Sequence, residues 1–315
     1  MTRTSGEFLK LIDSNGKEKD KGMESRKVTV AAVQMYCNRS REENIEAADK
    51  MVREACAKGA NVVLLPELFE TWYFCQERNY DSYELATSLE ENPAVLHFKE
   101  LAKELQVVLP ISFFEREVNV TYNSIAMIDA DGTLLGVYRK THIPDDHFYQ
   151  EKFYFTPGNT GFRVWDTMYG KIGVGICWDQ WFPETARCMA LMGAELLLYP
   201  TAIGSEPILD CDSMPHWRRC MQGHSAANVM PVIAANRIGE EKVVPSEANN
   251  NQESALIFYG SSFMTDETGE VVEQADRTTE QVLVHTYDLE EAKQLRYSWG
   301  LFRDRRPEMY DKIVF

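Results

Sequence analysis

Residues 59–66 read "GANVVLLP" and residues 193–200 read "GAELLLYP". Each stretch opens on a glycine, the residue that most readily ends a helix because it takes the left-handed backbone region at no steric cost. Each then carries a short apolar run of strand length and closes on a proline, which cannot continue a sheet ladder. The two stretches lie 134 residues apart and share apolar or proline character at six of eight positions. That spacing is far beyond the roughly 20–50 residues of a solenoid repeat, so the pair reads as two similar halves of one fold.

Working outward, the first stretch is preceded by a helical stripe over Arg41 to Lys58 (Ile45, Ala48, Met51, Val52, Ala55, Cys56) and by the β-branched run "VTVAAVQM", Val28 to Met35. The second is preceded by a helical pattern over Glu184 to Met192 and by "KIGVGIC", Lys171 to Cys177. Strand–helix–strand units of this length need parallel strands. Further strand character falls at Val107 to Phe113, Tyr122 to Ile128, Leu134 to Arg139, Pro231 to Asn236 and Gln281 to Tyr287, and helical character at Pro93 to Leu105, Ser213 to Val229 and Leu289 to Arg296. The alternation predicts an α/β layered fold. No Ser/Gly/Pro-rich linker divides it, so residues 27–300 read as one domain, residues 1–26 as a polar disordered tail and residues 301–315 as a C-terminal segment. The polar run Glu240 to Glu253, with three consecutive asparagines, predicts a mobile surface loop.

Composition excludes several partners. A formal charge of −16 and a pI of about 4.9 disfavour nucleic acid, which needs a basic stripe, and are compatible with a small cationic substrate. No apolar run approaches the length needed to span a bilayer. The acids of the first 26 residues (Glu7, Asp13, Glu18, Asp20, Glu24) are foreign to a transit peptide, no apolar signal core precedes them, and Met23 offers a second start. Seven cysteines, an odd number without a C-x-x-C pair, and six scattered histidines predict reduced thiols in a cytoplasmic protein, with no metal site and no cofactor.

Ligands in open α/β sheets gather beyond the carboxyl ends of strands, and three chemically active side chains stand at such ends. Glu67 follows "NVVLLP" among Leu65, Leu68 and Phe69, where a carboxylate suits a general base; its alternative role is a helix N-terminal acid. Cys177 ends "KIGVGIC", where a sharp turn exposes a nucleophile and aims the next N–H, that of Trp178, at an oxyanion; its alternative role is a small buried hydrophobe. Lys140 follows Leu134 to Arg139, where it lowers a neighbouring thiol's pKa and holds an oxyanion; its alternative is to face water. Thr201 and Ala202 occupy the second half's counterpart of the Glu67 position and are expected to line the site.

The segments carrying these residues resemble the nitrilase superfamily of carbon–nitrogen hydrolases. "LPELFETWYF" is similar to its glutamate motif, "YRKTHIPD" to its lysine motif and "GICWDQWFPE" to its nucleophile motif, in the family's order, and "EKFYFTPG" to the segment bearing a second glutamate, here Glu151. The likeness runs from Val28 to Tyr310. It implies a four-layer αββα sandwich, hydrolysis of a non-peptide carbon–nitrogen bond through Cys177, and Glu151 orienting Lys140 or the leaving amine. It also implies homo-oligomers built from dimers, up to octamers, with the C-terminal segment at a contact. "ETWYFCQ", "DQWFPE", "YPTAIGSEP" and "RDRRPEMY" resemble the branch that hydrolyses a ureido amine. For the ammonium of such a substrate Asp145, Asp146 and Glu206 are candidate partners, and Tyr73 a pocket hydrogen-bonder. The rival readings are an ω-amidase, a β-ureidopropionase or a nitrilase of the same superfamily, a catalytically silent assembly protein on this fold, and a metal-dependent amidohydrolase.

Overall fold

The computed structural model describes residues 25–205 and 211–314. The expected N-terminal tail and Glu206 therefore fall almost wholly outside the described residues.

The first half begins with β1 (Lys27–Tyr36). Its side chains alternate, Val28, Val30 and Ala32 toward one core and Ala31, Val33 and Met35 toward another, as the two-residue period of a strand requires. Ser40 caps α1 (Arg41–Ala57) by accepting from the Glu43 N–H, and Glu42 and Glu43 complement the positive end of its dipole. Strand β2 (Val62–Leu64) follows. Helix α2 (Pro93–Leu105) carries proline at its first turn and an Asn92 cap. Three antiparallel strands come next: β3 (Leu109–Glu117), β4 (Val120–Ile128) and β5 (Leu134–Arg139).

A single turn of helix, α3 (Glu151–Tyr154), leads into the second half. There β6 (Val164–Thr167) pairs with β7 (Gly170–Val174), followed by α4 (Pro183–Leu191), β8 (Leu196–Thr201) and the two-residue β9 (Gly204–Ser205). Helix α5 (Met214–Asn228) precedes β10 (Val232–Lys242), β11 (Ala255–Tyr259), β12 (Phe263–Thr265) and β13 (Val271–Gln274). The chain then returns to the first sheet as β14 (Gln281–Asp288) and ends in α6 (Leu289–Trp299) and short turns.

The repeat expected from the two matched stretches extends through both sheets. In the first half the order is β14-β1-β2-β3-β4-β5, with β1 parallel to β2 and β2 bridged in parallel to the start of β3. In the second it is β6-β7-β8-β10-β12-β13, with β7, β8 and β10 parallel. Each half thus has three parallel strands flanked by one antiparallel strand on one edge and two on the other. The sheets join where β1 meets β10, at Met35–Arg237 and Tyr36–Ile238.

Packing gives four layers. Helices α1 and α2 cover the outer face of the first sheet, and α4 and α5 that of the second. Between the sheets lies one apolar core drawn from both, including Val30, Leu64, Ile125, Ile172, Leu198 and Ile233. This is the αββα sandwich.

Two expectations need correction. The "KIGVGIC" strand stops at Val174 and Cys177 opens a short 3-10 turn instead of ending the strand. The run Glu240 to Glu253 is not a free loop. Glu240 to Lys242 continue β10 in register with β11, and Asn249 is buried, its amide bonded to the Val244 carbonyl at 2.9 Å and to Glu77. Charge suggested solvent there, but Glu241 is taken up by Arg237 at 2.8 Å.

Candidate active site

Glu67, Lys140, Glu151 and Cys177 come together where the strand ends of both sheets meet. Glu67 lies three residues beyond β2 in a non-helical turn, so it does not serve as a helix N-terminal acid. Leu68 after it has a left-handed backbone (φ +48°), an unusual state for a branched side chain. The turn is held by the Ser112 hydroxyl, which accepts from the Leu68 N–H at 2.9 Å. It is held again by Arg237, which donates to the Glu67 carbonyl at 2.7 Å and the Leu68 carbonyl at 3.0 Å.

Lys140 follows β5 directly and is fully buried. Its Nζ donates to Glu67 Oε1 at 2.7 Å and to Glu151 Oε2 at 2.6 Å. Glu151 opens α3, and its Oε1 accepts from Tyr73 OH at 2.7 Å. Glu67 Oε1 also accepts from the Asn123 carboxamide at 2.7 Å, whereas Glu67 Oε2 is buried with no hydrogen-bond partner.

Cys177 sits at φ +41°, in the sharp turn expected of a nucleophile, and is buried. Its Sγ lies 3.8 Å from the Ala202 carbonyl. Asp179, two residues on, anchors this turn: its carboxylate accepts from the Ile176 N–H at 2.9 Å, Tyr138 OH at 2.6 Å, the His142 N–H at 3.0 Å and His142 Nδ1 at 2.7 Å. Tyr138 and His142 flank Lys140 by two residues on either side, so one carboxylate ties the lysine's segment to the nucleophile's. The His142 ring in turn stacks on Phe182 at 3.7 Å between centroids.

Burial sets the charge states. Burial alone would strip Lys140 of its proton, but the Glu151 and Glu67 carboxylates outweigh it and hold the ammonium well above the usual lysine range. Two carboxylates share that one cation, and burial lifts Glu151 to about 7 against the pull of Lys140. Burial also pushes the Cys177 thiol well above its ordinary value, with Glu67 adding to the rise and Lys140 opposing it. Lys140 lowers the thiol's pKa as expected, but desolvation and the Glu67 charge outweigh it.

A cavity of about 300 Å³ opens onto Cys177 and Glu151, lined also by Trp178, Trp181, Tyr149, Ala202 and Ile203. Asp145 and Asp146, both exposed, stand at its rim and are shared with an adjoining cleft that also carries Arg78. Trp178 and Ala202 line the cavity as expected from sequence. Tyr73 and Thr201 do not. Tyr73 lies behind Glu151, and the Thr201 hydroxyl turns away to Gln180 Oε1 at 3.0 Å while its carbonyl accepts the Glu67 N–H at 3.3 Å. Asn123, Ser112, Asp179 and Arg237 escaped the sequence reading. Their one signal was a polar residue inside an otherwise apolar strand or directly after one. Among the described residues no group of three or more His, Cys, Asp or Glu is arranged to hold a metal ion, and no helix is long and apolar enough to cross a membrane.

Together, a carboxylate with one free oxygen can accept a proton, a lysine held as ammonium can stabilise an oxyanion, and a turn-borne thiol can form a thioester-like adduct. The carbon–nitrogen hydrolase profile matches residues 29–297. The chain belongs to the carbon–nitrogen hydrolase family. This carbon–nitrogen hydrolase is an amidohydrolase acting on a non-peptide bond. It is 54% identical over 289 residues to an N-carbamoylputrescine amidase of Oryza sativa subsp. japonica, covering 91% of this chain and 95% of that one. It is also 54% identical over 288 residues to a citrullinase of Francisella tularensis subsp. tularensis, covering 91% and 98%. The crystal structure of a carbon–nitrogen hydrolase from Helicobacter pylori G27 superposes with a TM-score of 0.85 at 38% identity, covering 92% of this chain and 99% of that one.

Proposed function

We propose that this carbon–nitrogen hydrolase cleaves N-carbamoylputrescine to putrescine, carbon dioxide and ammonia, a step of polyamine biosynthesis. The observation that carries the reading is the charge of the cavity. Among the described residues that line it, the charged ones are Glu151, Asp145 and Asp146, and no lysine or arginine lines its outer part. An aliphatic chain ending in an ammonium suits apolar walls with acids at the rim; an α-carboxylate there meets like charge.

In the mechanism the free Glu67 Oε2 takes the Cys177 proton as sulfur attacks the ureido carbon. Lys140 and the Trp178 N–H hold the developing oxyanion, and one such donor is typically worth about 10²–10³ in rate. Glu67 passes the proton to the departing ammonia. It then draws a proton from water as that water attacks the thiocarbamate, and returns it to sulfur. The released carbamate loses carbon dioxide to leave putrescine. Glu151, braced by Tyr73, fixes the Lys140 ammonium.

The second reading is citrulline hydrolysis, the activity named for the Francisella relative, favoured by Arg78 in the cleft that shares Asp145 and Asp146. Comparing kcat/KM for N-carbamoylputrescine, citrulline, ureido acids, ω-amides and nitriles separates these. The account expects the ureido amine to lead by at least about tenfold, the worth of one rim charge pair near 1.4 kcal/mol. Citrulline at parity or better would overturn the substrate assignment.

The free thiols, all seven of them, fit a reducing compartment such as the cytoplasm. We further propose a homo-oligomer with a contact at the C-terminal segment, supported by exposed Tyr297, Trp299, Met309, Ile313 and Val314.

A further inference from the structure

We propose that Asn123 is a positioning residue of the reaction, using up one oxygen of the Glu67 carboxylate so that the other is the free base. The inference rests on the reading of Glu67 as the base and Cys177 as the nucleophile.

Asn123 lies in β4 and is fully buried. It holds both charged partners at once. Its main-chain carbonyl accepts the Lys140 N–H at 2.8 Å, and its Nδ2 donates to Glu67 Oε1 at 2.7 Å. Lys140 Nζ meets the same oxygen at 2.7 Å. Oε1 thus accepts two strong donors, while Oε2, also buried, accepts none. A buried carboxylate oxygen left without a donor is costly, and such a vacancy is expected where a proton must be received. Were the carboxamide turned over, its oxygen would face Oε1, so the charge of Glu67 fixes the amide's orientation. The strand pairing fixes the rest: Asn123 stands opposite Phe114 in β3, and Lys140 leaves β5 one residue after Arg139, which pairs with Ser124. Without Asn123, Lys140 alone does not define the rotation of the carboxylate, because a single ammonium can bridge either oxygen.

The charged or titratable groups around Glu67 are Lys140, Glu151, Cys177, Cys75, Tyr73 and Arg237. Of these only Lys140 donates to the Glu67 carboxylate, at Oε1, and none donates to Oε2, so losing Asn123 leaves the ammonium as the one group among them that orients the carboxylate.

The test compares Asn123→Asp, Asn123→Ser and Glu67→Gln in the full-length enzyme. Asn123→Asp keeps the shape but places a second carboxylate against Glu67. The pair then shares a proton, and the acid limb of the kcat/KM profile moves up by about one pH unit or more. Asn123→Ser removes the donor without adding charge, and kcat falls about 10²-fold, the scale of a misplaced catalytic group, with KM nearly unchanged. A merely structural role would lower the amount of active enzyme and leave the shape of the pH profile alone. Asn123→Asp with an unshifted profile, or Asn123→Ser with wild-type kcat, overturns the assignment. Glu67→Gln separates the levels: if it stays active, the reading of the base is wrong; if it is dead while the Asn123 variants behave as wild type, only the positioning role is wrong. If Asn123→Asp does not fold, the kcat of Asn123→Ser decides.

Discussion

The main-chain N–H of Glu67 donates to the carbonyl of Thr201 at 3.3 Å, and these residues hold the same place, 134 positions apart, in the two halves of the molecule. The bond crosses from the end of one sheet to the end of the other. The candidate site therefore lies where corresponding ends of the two halves meet, and its chemistry is divided unequally between them. The first half supplies Glu67 and Lys140, and the second the nucleophile turn. Where Lys140 follows β5, the matching residue after β13 is a buried alanine, Ala275. The base and the lysine thus come from one half and the thiol from the other.

The charge sharing around Lys140 predicts a pH dependence. Burial holds the Glu151 carboxyl at about 7, so the site takes up a proton as pH falls through neutrality. Protonated Glu151 pulls less on the Lys140 ammonium, which is then less firmly placed for the oxyanion. The rate should fall on the acid side with an inflection near 7. Glu151→Gln, which cannot titrate, should lose that inflection and run about 10²-fold slower from a misplaced ammonium. A kcat/KM profile that keeps its near-neutral inflection in Glu151→Gln would assign it elsewhere.

Gly158 sets the place of Lys140 from behind. Its N–H donates to the Lys140 carbonyl at 2.8 Å, and a Cβ there would lie 2.0 Å from the Arg139 carbonyl oxygen and 2.8 Å from that of Lys140. Backbone cannot yield as a flexible side chain can. Gly158→Ala should cost about 1–3 kcal/mol of stability, the usual range for overpacking, and reduce kcat more than it raises KM. Urea denaturation with steady-state kinetics checks both; wild-type stability would show that the loop of Gly158 moves freely.

The fold was legible because strands and helices announce themselves by period. The matched stretches at Gly59 and Gly193 marked two halves, and β1, α1, α2 and β5 begin and end within two residues of the positions read from pattern. The short strands β6, β9, β11, β12 and β13 were not visible, since two to five residues carry too little alternation to outweigh local composition. Motif order pointed to Glu67, Lys140, Glu151 and Cys177, whose side chains the fold gathers. Direction was harder. Thr201 stands at a strand end as read, but its hydroxyl turns to Gln180 and only its carbonyl serves the site. Asn123 was illegible in "TYNSIAMI" because its partner lies 56 residues away. The net rise at the Cys177 thiol was not visible either, because desolvation is a property of the assembled core.

The central claim is that Cys177 forms a covalent bond to the substrate's ureido carbon with Glu67 as its base. Rapid quench with N-carbamoylputrescine carrying ¹³C at that carbon, followed by mass spectrometry of the peptides, tests it most directly. The account predicts a transient adduct on the Cys177 peptide alone that holds the labelled carbon and the aminobutyl chain, and its loss in Cys177→Ala together with turnover. Label on no cysteine, or Cys177→Ala hydrolysing the substrate at the wild-type rate, would contradict it.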